Sequence, residues 1–289
     1  MTEMSDKFND SKIKELERKL LYKKIVEQMK DKAPLENTIG FTLCSSSVIL
    51  EHHLSNYANH IKKPLALICA ESDSKHFPIA KKKLDALRSN YFNSVIFDKK
   101  DSWLFADIQN DKERKNNLDF AWHDWCGPLD DNKIETIRSS AQCIKEGGLL
   151  SVTVSTTRDK DMLSKKRWMK KFNIDSMNIT ASEKKAYLVP SLLDYKLGKD
   201  DRPHKKGLTL LNALMYSVSY GETRAGQGRF MLFYIFQVNT RDKKVHRNFI
   251  LKKAVAEHME YKVCHNKRTF TETFEEGLSE ENIQAVYVK

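Results

Sequence analysis

The chain has 289 residues, 40% hydrophobic and 31% charged, with a formal net charge of +11. No apolar run approaches the ~18 residues of a membrane span, and the charged N-terminus lacks an apolar signal core, so an intracellular chain, cytoplasmic or nuclear, is expected. Five cysteines, at 44, 69, 126, 143 and 264, form no CxxC pair, which argues against a disulfide framework or structural zinc site.

Charge is unevenly spread. Residues 1–157 hold 24 basic and 23 acidic side chains, whereas residues 158–289 hold 26 and 16. A localised basic surface attracts polyanions, nucleic acid above all. A lysine-rich composition kept for solubility is the simpler alternative.

In chain order, residues 1–36 place Ile13, Leu16, Leu20, Ile25 and Met29 near helical spacing, and Pro34 ends the pattern. Residues 38–44 read as a strand. Ser45-Ser46-Ser47 then offers N-caps for a helix from Val48 to about Ile61, whose first N–H groups can hold a ligand oxygen. Leu65 to Ala70 is a buried parallel strand ending at Glu71. A helix follows with Phe77, Ala80, Leu84 and Leu87 on one face, then a strand from Ser94 to Phe97 and the polar run Asp98 to Trp103. Strand 118–122 leads into the His123-Asp124-Trp125-Cys126-Gly127-Pro128 turn. After it come a helix with Ile134, Ile137, Ala141 and Ile144 inward, a Gly-Gly turn, and strand 149–155.

This alternation predicts βαβ units and a parallel sheet. Right-handed crossovers would bring the strand-end turns to one edge, where open α/β sheets bind ligands. Residues 158–206 break the rhythm with 14 basic and 7 acidic side chains around Trp168, Phe172, Tyr187 and Tyr195. Arg158 to Phe172 is expected to be helical and Lys196 to Lys206 a loop. The segment reads as a substrate-binding insertion whose aromatics stack on bases or simply anchor it to the core. Leu208–Tyr220 and Phe230–Val238 form a hairpin with a long tip. Residues 241–268 are basic and partly helical. The acidic tail, 269–289, ends in Ala285-Val286-Tyr287-Val288, which either adds an edge strand or folds back on the basic segment.

Five βα units followed by a hairpin resemble, over roughly residues 37–240, the class I S-adenosylmethionine-dependent methyltransferases. Asp124-Trp125-Cys126-Gly127 and Gly148-Leu149-Leu150-Ser151-Val152-Thr153-Val154-Ser155-Thr156 are similar to the fourth-strand turn and fifth strand of tRNA guanine N2-dimethyltransferases. The resemblance implies an α/β Rossmann-like methyltransferase fold: a mostly parallel seven-stranded sheet with a terminal antiparallel hairpin, flanked by helices. It implies three parts, namely an N-terminal helical extension (1–36), the methyltransferase-like domain (37–240, with the insertion at about 158–206) and a C-terminal extension (241–289).

By position, the resemblance implies S-adenosyl-L-methionine as cofactor. Cys44, Ser45 and Ser46 would wrap its methionine end, and Glu71 would accept the ribose hydroxyls. Asp101 and Ser102 would read the adenine, with Asp98 and an N-cap role as the competing assignments. Asp124, Trp125, Cys126 and Gly127 would face the methyl donor and the acceptor: Asp124 taking hydrogens from an exocyclic amine, Trp125 stacking on the base. Cys126 resembles the nucleophile of pyrimidine C5-methyltransferases, or is a small buried residue. His52, His53 and His123 lack metal-ligand spacing, so no metal is expected. The partner expected is nucleic acid, RNA before DNA, held by 158–206 and 241–268. The family's first loop is Gly-rich, and here it reads Cys-Ser-Ser-Ser. That departure favours the alternative of a catalytically inactive fold serving as a nucleic-acid- or partner-binding subunit.

Overall fold

The computed structural model describes residues 12–98, 105, 117–155, 166–179, 181–198, 206–218, 229–240, 247–264 and 283–287. In chain order the elements are α1 (Lys12–Asp31), β1 (Thr38–Leu43), α2 (Ile49–Ile61), β2 (Leu65–Ala70), α3 (His76–Ala86), β3 (Phe92–Phe97) and β4 (Leu118–Pro128). Then follow α4 (Asp131–Cys143), β5 (Ile144–Ser155), α5 (Lys166–Lys171), α6 (Ala181–Gly198), β6 (Lys206–Val218), β7 (Arg229–Thr240), α7 (Arg247–His258), β8 (Met259–Cys264) and β9 (Ile283–Tyr287). The strand order is β3-β2-β1-β4-β5-β7-β6-β8-β9. The first seven strands have the expected methyltransferase arrangement, with β7 inserted between β5 and β6 and antiparallel to β6. The sheet has nine strands rather than seven, because the C-terminal segment adds two: β8 pairs parallel with β6, and β9 lies antiparallel on β8 at the sheet edge.

The chain divides into two compact units, Met1–His123 with Gln142–Leu150, and Asp124–Ala141 with Ser151–Lys289. In the first, β1 to β4 run parallel. Gly40 is needed there because a Cβ would overlap the Phe120 ring. The buried Asp119 carboxylate accepts the Ile39 N–H at 2.7 Å and pairs with Lys32 at 2.7 Å and Lys145 at 3.3 Å, so one charge fixes the entry to β1 and the start of β5. Helix α1 buries the second half of the expected stripe, Ile25 and Met29, and departs from it upstream. Leu21, Ile25 and Met29 are buried, continued upstream by Glu17 and Lys14, which form a fully buried ion pair at 2.9 Å. Leu16 and Leu20 are only half-buried, and the Ile13 side chain lies outside the described residues.

In the second unit, β6 and β7 pair along their length with one irregularity between Leu210 and Asn212. Helix α6 contains Pro190. Proline has no N–H, so the carbonyl four residues earlier loses its helical donor. That carbonyl belongs to Ala186, and the Tyr234 hydroxyl of β7 donates to it at 2.8 Å. The Asp194 carboxylate near the end of α6 accepts the Leu208 N–H of β6 at 2.9 Å. Among the described residues no helix is long and apolar enough to cross a membrane.

Candidate functional site

In the first unit, the pairing of Leu43 with Ala70 makes Cys44 and Glu71 the next residues on neighbouring parallel strands. Thr42 and Cys69 pair on one face, their side chains 3.5 Å apart, and Cys44 Sγ lies 3.9 Å from the Ala70 carbonyl. Hydrogen bonding to Cys69, and then burial, push the Cys44 thiol far above its ordinary range. It is a neutral, packed thiol and no nucleophile.

The serines do not cap α2 as expected. Ser45 and Ser47 share a 2.6 Å hydroxyl–hydroxyl bond, and the Val48 N–H donates to the Ser45 carbonyl at 3.2 Å. The cap position falls to Val48, at φ 46° and ψ 39°, with no side-chain cap bond. This left-handed conformation is the one glycine ordinarily supplies, and a β-branched residue adopts it at a cost. The glycine-free loop therefore makes a glycine-like turn, and Lys83 of α3 donates to the Ser46 carbonyl at 2.7 Å.

Glu71 does not serve as a helix cap. Helix α3 begins five residues later, and it is Asp73 whose carboxylate accepts the Lys75 N–H at 2.8 Å. Glu71 is half-buried. Its Oε1 accepts the Asp73 N–H at 2.8 Å, while its own N–H donates to the Phe97 carbonyl at the end of β3. Burial raises its pKa above the ordinary carboxylate value, against the lowering effect of the Asp73 N–H and of His76. A carboxylate has about four lone-pair positions, so the Asp73 N–H, with a smaller contribution from the Ser72 N–H, orients it and leaves capacity for the two donors of a vicinal diol. The acceptor capacity of Glu71 thus fits the ribose hydroxyls of the implied cofactor.

One residue of this cluster carried no recognised signal in the sequence. Glu51, in the first turn of α2, is buried and accepts the Thr42 hydroxyl at 2.7 Å. Burial raises its pKa, opposed by Thr42, its own backbone N–H and the charge of Arg18. The only hint is a carboxylate on the helix face that also holds Leu50, Leu54 and Ala58. Asp101 and Ser102 lie outside the described residues. Asp98, their competitor, is exposed directly after β3.

In the second unit, the expected turn at 123–128 is instead the end of β4, which continues to Pro128. Asp124, Trp125 and Gly127 are half-buried along an extended strand, and Cys126 shares that backbone. Asp124 stands two residues beyond Trp122, which pairs with Thr42. Lys133 of α4 donates to the Pro128 carbonyl and sits 5.9 Å from the centre of the Trp125 ring. Asp130 caps α4 by accepting the Lys133 N–H at 2.8 Å, so capping does not explain Asp124. The expected Gly-Gly turn is likewise in strand: β5 begins at Ile144, and Gly147 has φ 79°. His123, considered as a metal ligand, is a core residue of the first unit between Phe41 and Phe105, 5.4 and 5.3 Å from their ring centres. Among the described residues no cluster suits a metal ion.

The aromatics of the insertion do not present stacking faces. Trp168, Phe172 and Tyr187 are buried. Trp168 stacks on Phe172 at 6.2 Å, and Tyr195 meets both edge-on at 5.8 and 5.9 Å. They anchor α5 to α6. Helix α5 covers Lys166–Lys171, and the separate helix α6 runs to Gly198, three residues into the expected loop.

No protein-family model matches this chain, and no curated protein matches it. Among solved structures it is similar to an S-adenosylmethionine-dependent methyltransferase from Methanosarcina mazei, with 12% identity over 75% of this chain and 98% of that one and a TM-score of 0.40. It is similar to the CurJ carbon methyltransferase at 14% identity, over 83% of this chain and 59% of that one, with a TM-score of 0.46. It is also similar to an rRNA methylase from Streptococcus thermophilus at 11% identity, over 77% and 95%, with a TM-score of 0.40.

Proposed function

We propose that the protein is an S-adenosylmethionine-dependent methyltransferase acting on nucleic acid, RNA before DNA. The observation behind this reading is the half-buried Glu71 carboxylate, oriented by the Asp73 N–H, at the end of β2 in a sheet of methyltransferase strand order. When bound, the cofactor supplies an electrophilic methyl group. The chain's part is to bind, orient and accept protons. Glu71 holds the ribose diol, and the Cys44–Val48 loop passes its backbone along the methionine end. Asp124 accepts hydrogens from an exocyclic amine and so aims its lone pair in line, since methyl transfer depends chiefly on approach geometry. Trp125, steadied by Lys133, offers its ring to the acceptor base.

The second reading, a binding subunit without catalysis, is favoured by the Ser45–Ser47 hydroxyl bond, which engages within the loop the hydroxyl of Ser45, one of the residues expected to meet the cofactor. Titration calorimetry with S-adenosylhomocysteine separates the two. Micromolar binding that Glu71→Ala weakens supports the enzyme. No heat at millimolar ligand sinks it.

A further inference from the structure

Helices α5 and α6 build a patch of concentrated positive charge. The side chains of Arg167, Lys171 and Lys196 surround one indole, with Arg167 Cζ 5.1 Å, Lys196 Nζ 5.3 Å and Lys171 Nζ 5.9 Å from the centre of the Trp168 ring. Lys171 Nζ also lies 3.8 Å from the centre of Tyr195. Lys166, Arg167, Lys170 and Lys171 of α5 are all exposed. Among the described residues no carboxylate forms an ion pair with Arg167, Lys171 or Lys196. The nearest acid in sequence to Lys196, Asp194, is buried and accepts the Leu208 N–H. Lys252 of α7, by contrast, is used structurally and donates to the Phe172 carbonyl at 3.2 Å.

Three like charges around one ring repel one another, and water screens them only in part. What holds them is the ring quadrupole, which attracts cations to its face, together with burial of the aromatic anchors. Charges fixed this way lose little side-chain freedom on meeting a ligand. Their complement is a linear array of negative charges, and a nucleic-acid backbone supplies one about every 3.4 Å per strand. We infer that the α5–α6 patch binds the phosphodiester backbone of nucleic acid, with Arg167, Lys171 and Lys196 as the phosphate contacts and Trp168 and Tyr195 as the platform that positions them. The aromatics thus act beneath the charges, and the contact is independent of sequence. This inference deepens the nucleic-acid reading of the proposed function and does not depend on methyl transfer.

The test is fluorescence anisotropy with a labelled 20-nucleotide RNA, the matching single-stranded DNA and their duplexes, across a salt series on the full chain. The neutralising triple variant R167Q/K171Q/K196Q should bind at least tenfold more weakly at 50 mM salt. Its slope of log K against log salt should be shallower by about 2 for single strands, at ~0.7 for each phosphate the variant no longer neutralises. A control of equal charge change, K23Q/K81Q/K82Q on α1 and α3, should keep the wild-type slope. Tyr195→Leu, which leaves every charge in place, should weaken binding less than the triple variant but measurably. Equal slopes for the triple variant and the control would overturn the proposal, as would a salt-independent affinity. So would displacement of the RNA by polyglutamate as effective as by unlabelled RNA, which would point to an acidic protein partner. The calorimetric titration with S-adenosylhomocysteine reads the methyltransferase proposal separately, so either idea can fail alone.

Discussion

The two units handle charge and polarity differently, although each has a buried carboxylate committed to a backbone N–H, Asp119 in the first and Asp194 in the second. In the first, the buried charged groups are individually committed: Asp119 to Lys32, Lys145 and the Ile39 N–H, Glu51 to Thr42, Lys14 to Glu17. In the second, cations stay exposed on α5 around aromatic anchors, and much of the buried polar work falls to neutral hydroxyls such as Tyr234 and Ser151, which donate to backbone carbonyls. Buried, committed charge suits recognition of one small ligand in one pose, because each unpaired group would be costly. Exposed charge suits an extended polyanion, where the field matters more than any single contact.

The contrast breaks most sharply at Gly40. A methyl group there meets the Phe120 ring, and the parallel strands on either side leave little room to yield. Gly40→Ala should cost about 3 kcal/mol or more, the upper range for overpacking, read as a drop in the denaturant midpoint. An insignificant shift would mean that the core of the first unit is looser than its burial implies. Glu71→Ala should be milder for folding and severe for ligand. Losing a charge-assisted bond to each ribose hydroxyl, at about 1.5–3 kcal/mol apiece, predicts at least tenfold weaker S-adenosylhomocysteine binding, measured by calorimetry. Unchanged affinity would remove Glu71 from the site.

Much of this is legible in the sequence, for identifiable reasons. Short apolar runs such as Leu65–Ala70 have one stable home, a buried parallel strand, and their alternation with helices leaves little freedom in topology. The end of β4 reads as a turn because Asp, Gly and Pro are turn residues by local preference, whereas here β4 holds Asp124, Gly127 and Pro128 in extended backbone. The serine caps fail because Ser45 and Ser47 find each other before they find the helix. The burial of Lys14 and Glu17 does not follow from polarity, since a lysine and a glutamate three residues apart look the same on a solvated face as in a buried pair. The insertion shows its mixture of aromatic and basic residues plainly, but the sequence carries no sign of which component faces outward.

Tyr234 tests the second unit's use of neutral groups. Its hydroxyl replaces the donor that Pro190 lacks, so Tyr234→Phe leaves the Ala186 carbonyl without that bond and should cost about 1–2 kcal/mol. Pro190→Ala restores a backbone donor four residues from Ala186 and should reduce that cost in the double variant. If the two substitutions prove additive, the hydroxyl is not compensating for the proline.

Titration sharpens the first unit's side. Burial raises the Glu71 pKa, so the folded chain holds that proton more tightly than the unfolded chain does. Its contribution to stability is therefore full below the ordinary glutamate value and is lost as pH rises through the raised folded value. Ligand affinity should move the opposite way. On the proposed role it is the ionised carboxylate that would accept the diol, so S-adenosylhomocysteine binding should weaken on acidification, beginning at a pH above that of an ordinary glutamate. Glu71→Gln should flatten both limbs, by calorimetry for binding and by urea titration for stability. A variant that keeps either limb would assign that limb to another group, with Glu51 first in line because its pKa is raised for the same reason.

The smallest expected effect lies at Val48, where two opposing costs nearly cancel. Its side chain is buried, worth about 1.5–3 kcal/mol, yet its backbone sits in the left-handed region at a penalty of about 1–3 kcal/mol. At an ordinary buried position glycine is worse than alanine, because it gives up one more carbon and adds chain entropy. At Val48, alanine loses most of the burial and keeps the strain, whereas glycine loses slightly more burial and relieves the strain. Val48→Gly should therefore be no more destabilising than Val48→Ala, with the two variants within about 1 kcal/mol of each other by denaturant titration. A glycine variant clearly worse than the alanine would mean that the loop takes its shape from packing of the valine side chain. A glycine variant clearly better would mean that the chain tolerates strain in the Cys44–Val48 loop that a single common substitution removes, which is the expected mark of a position held for binding rather than for stability.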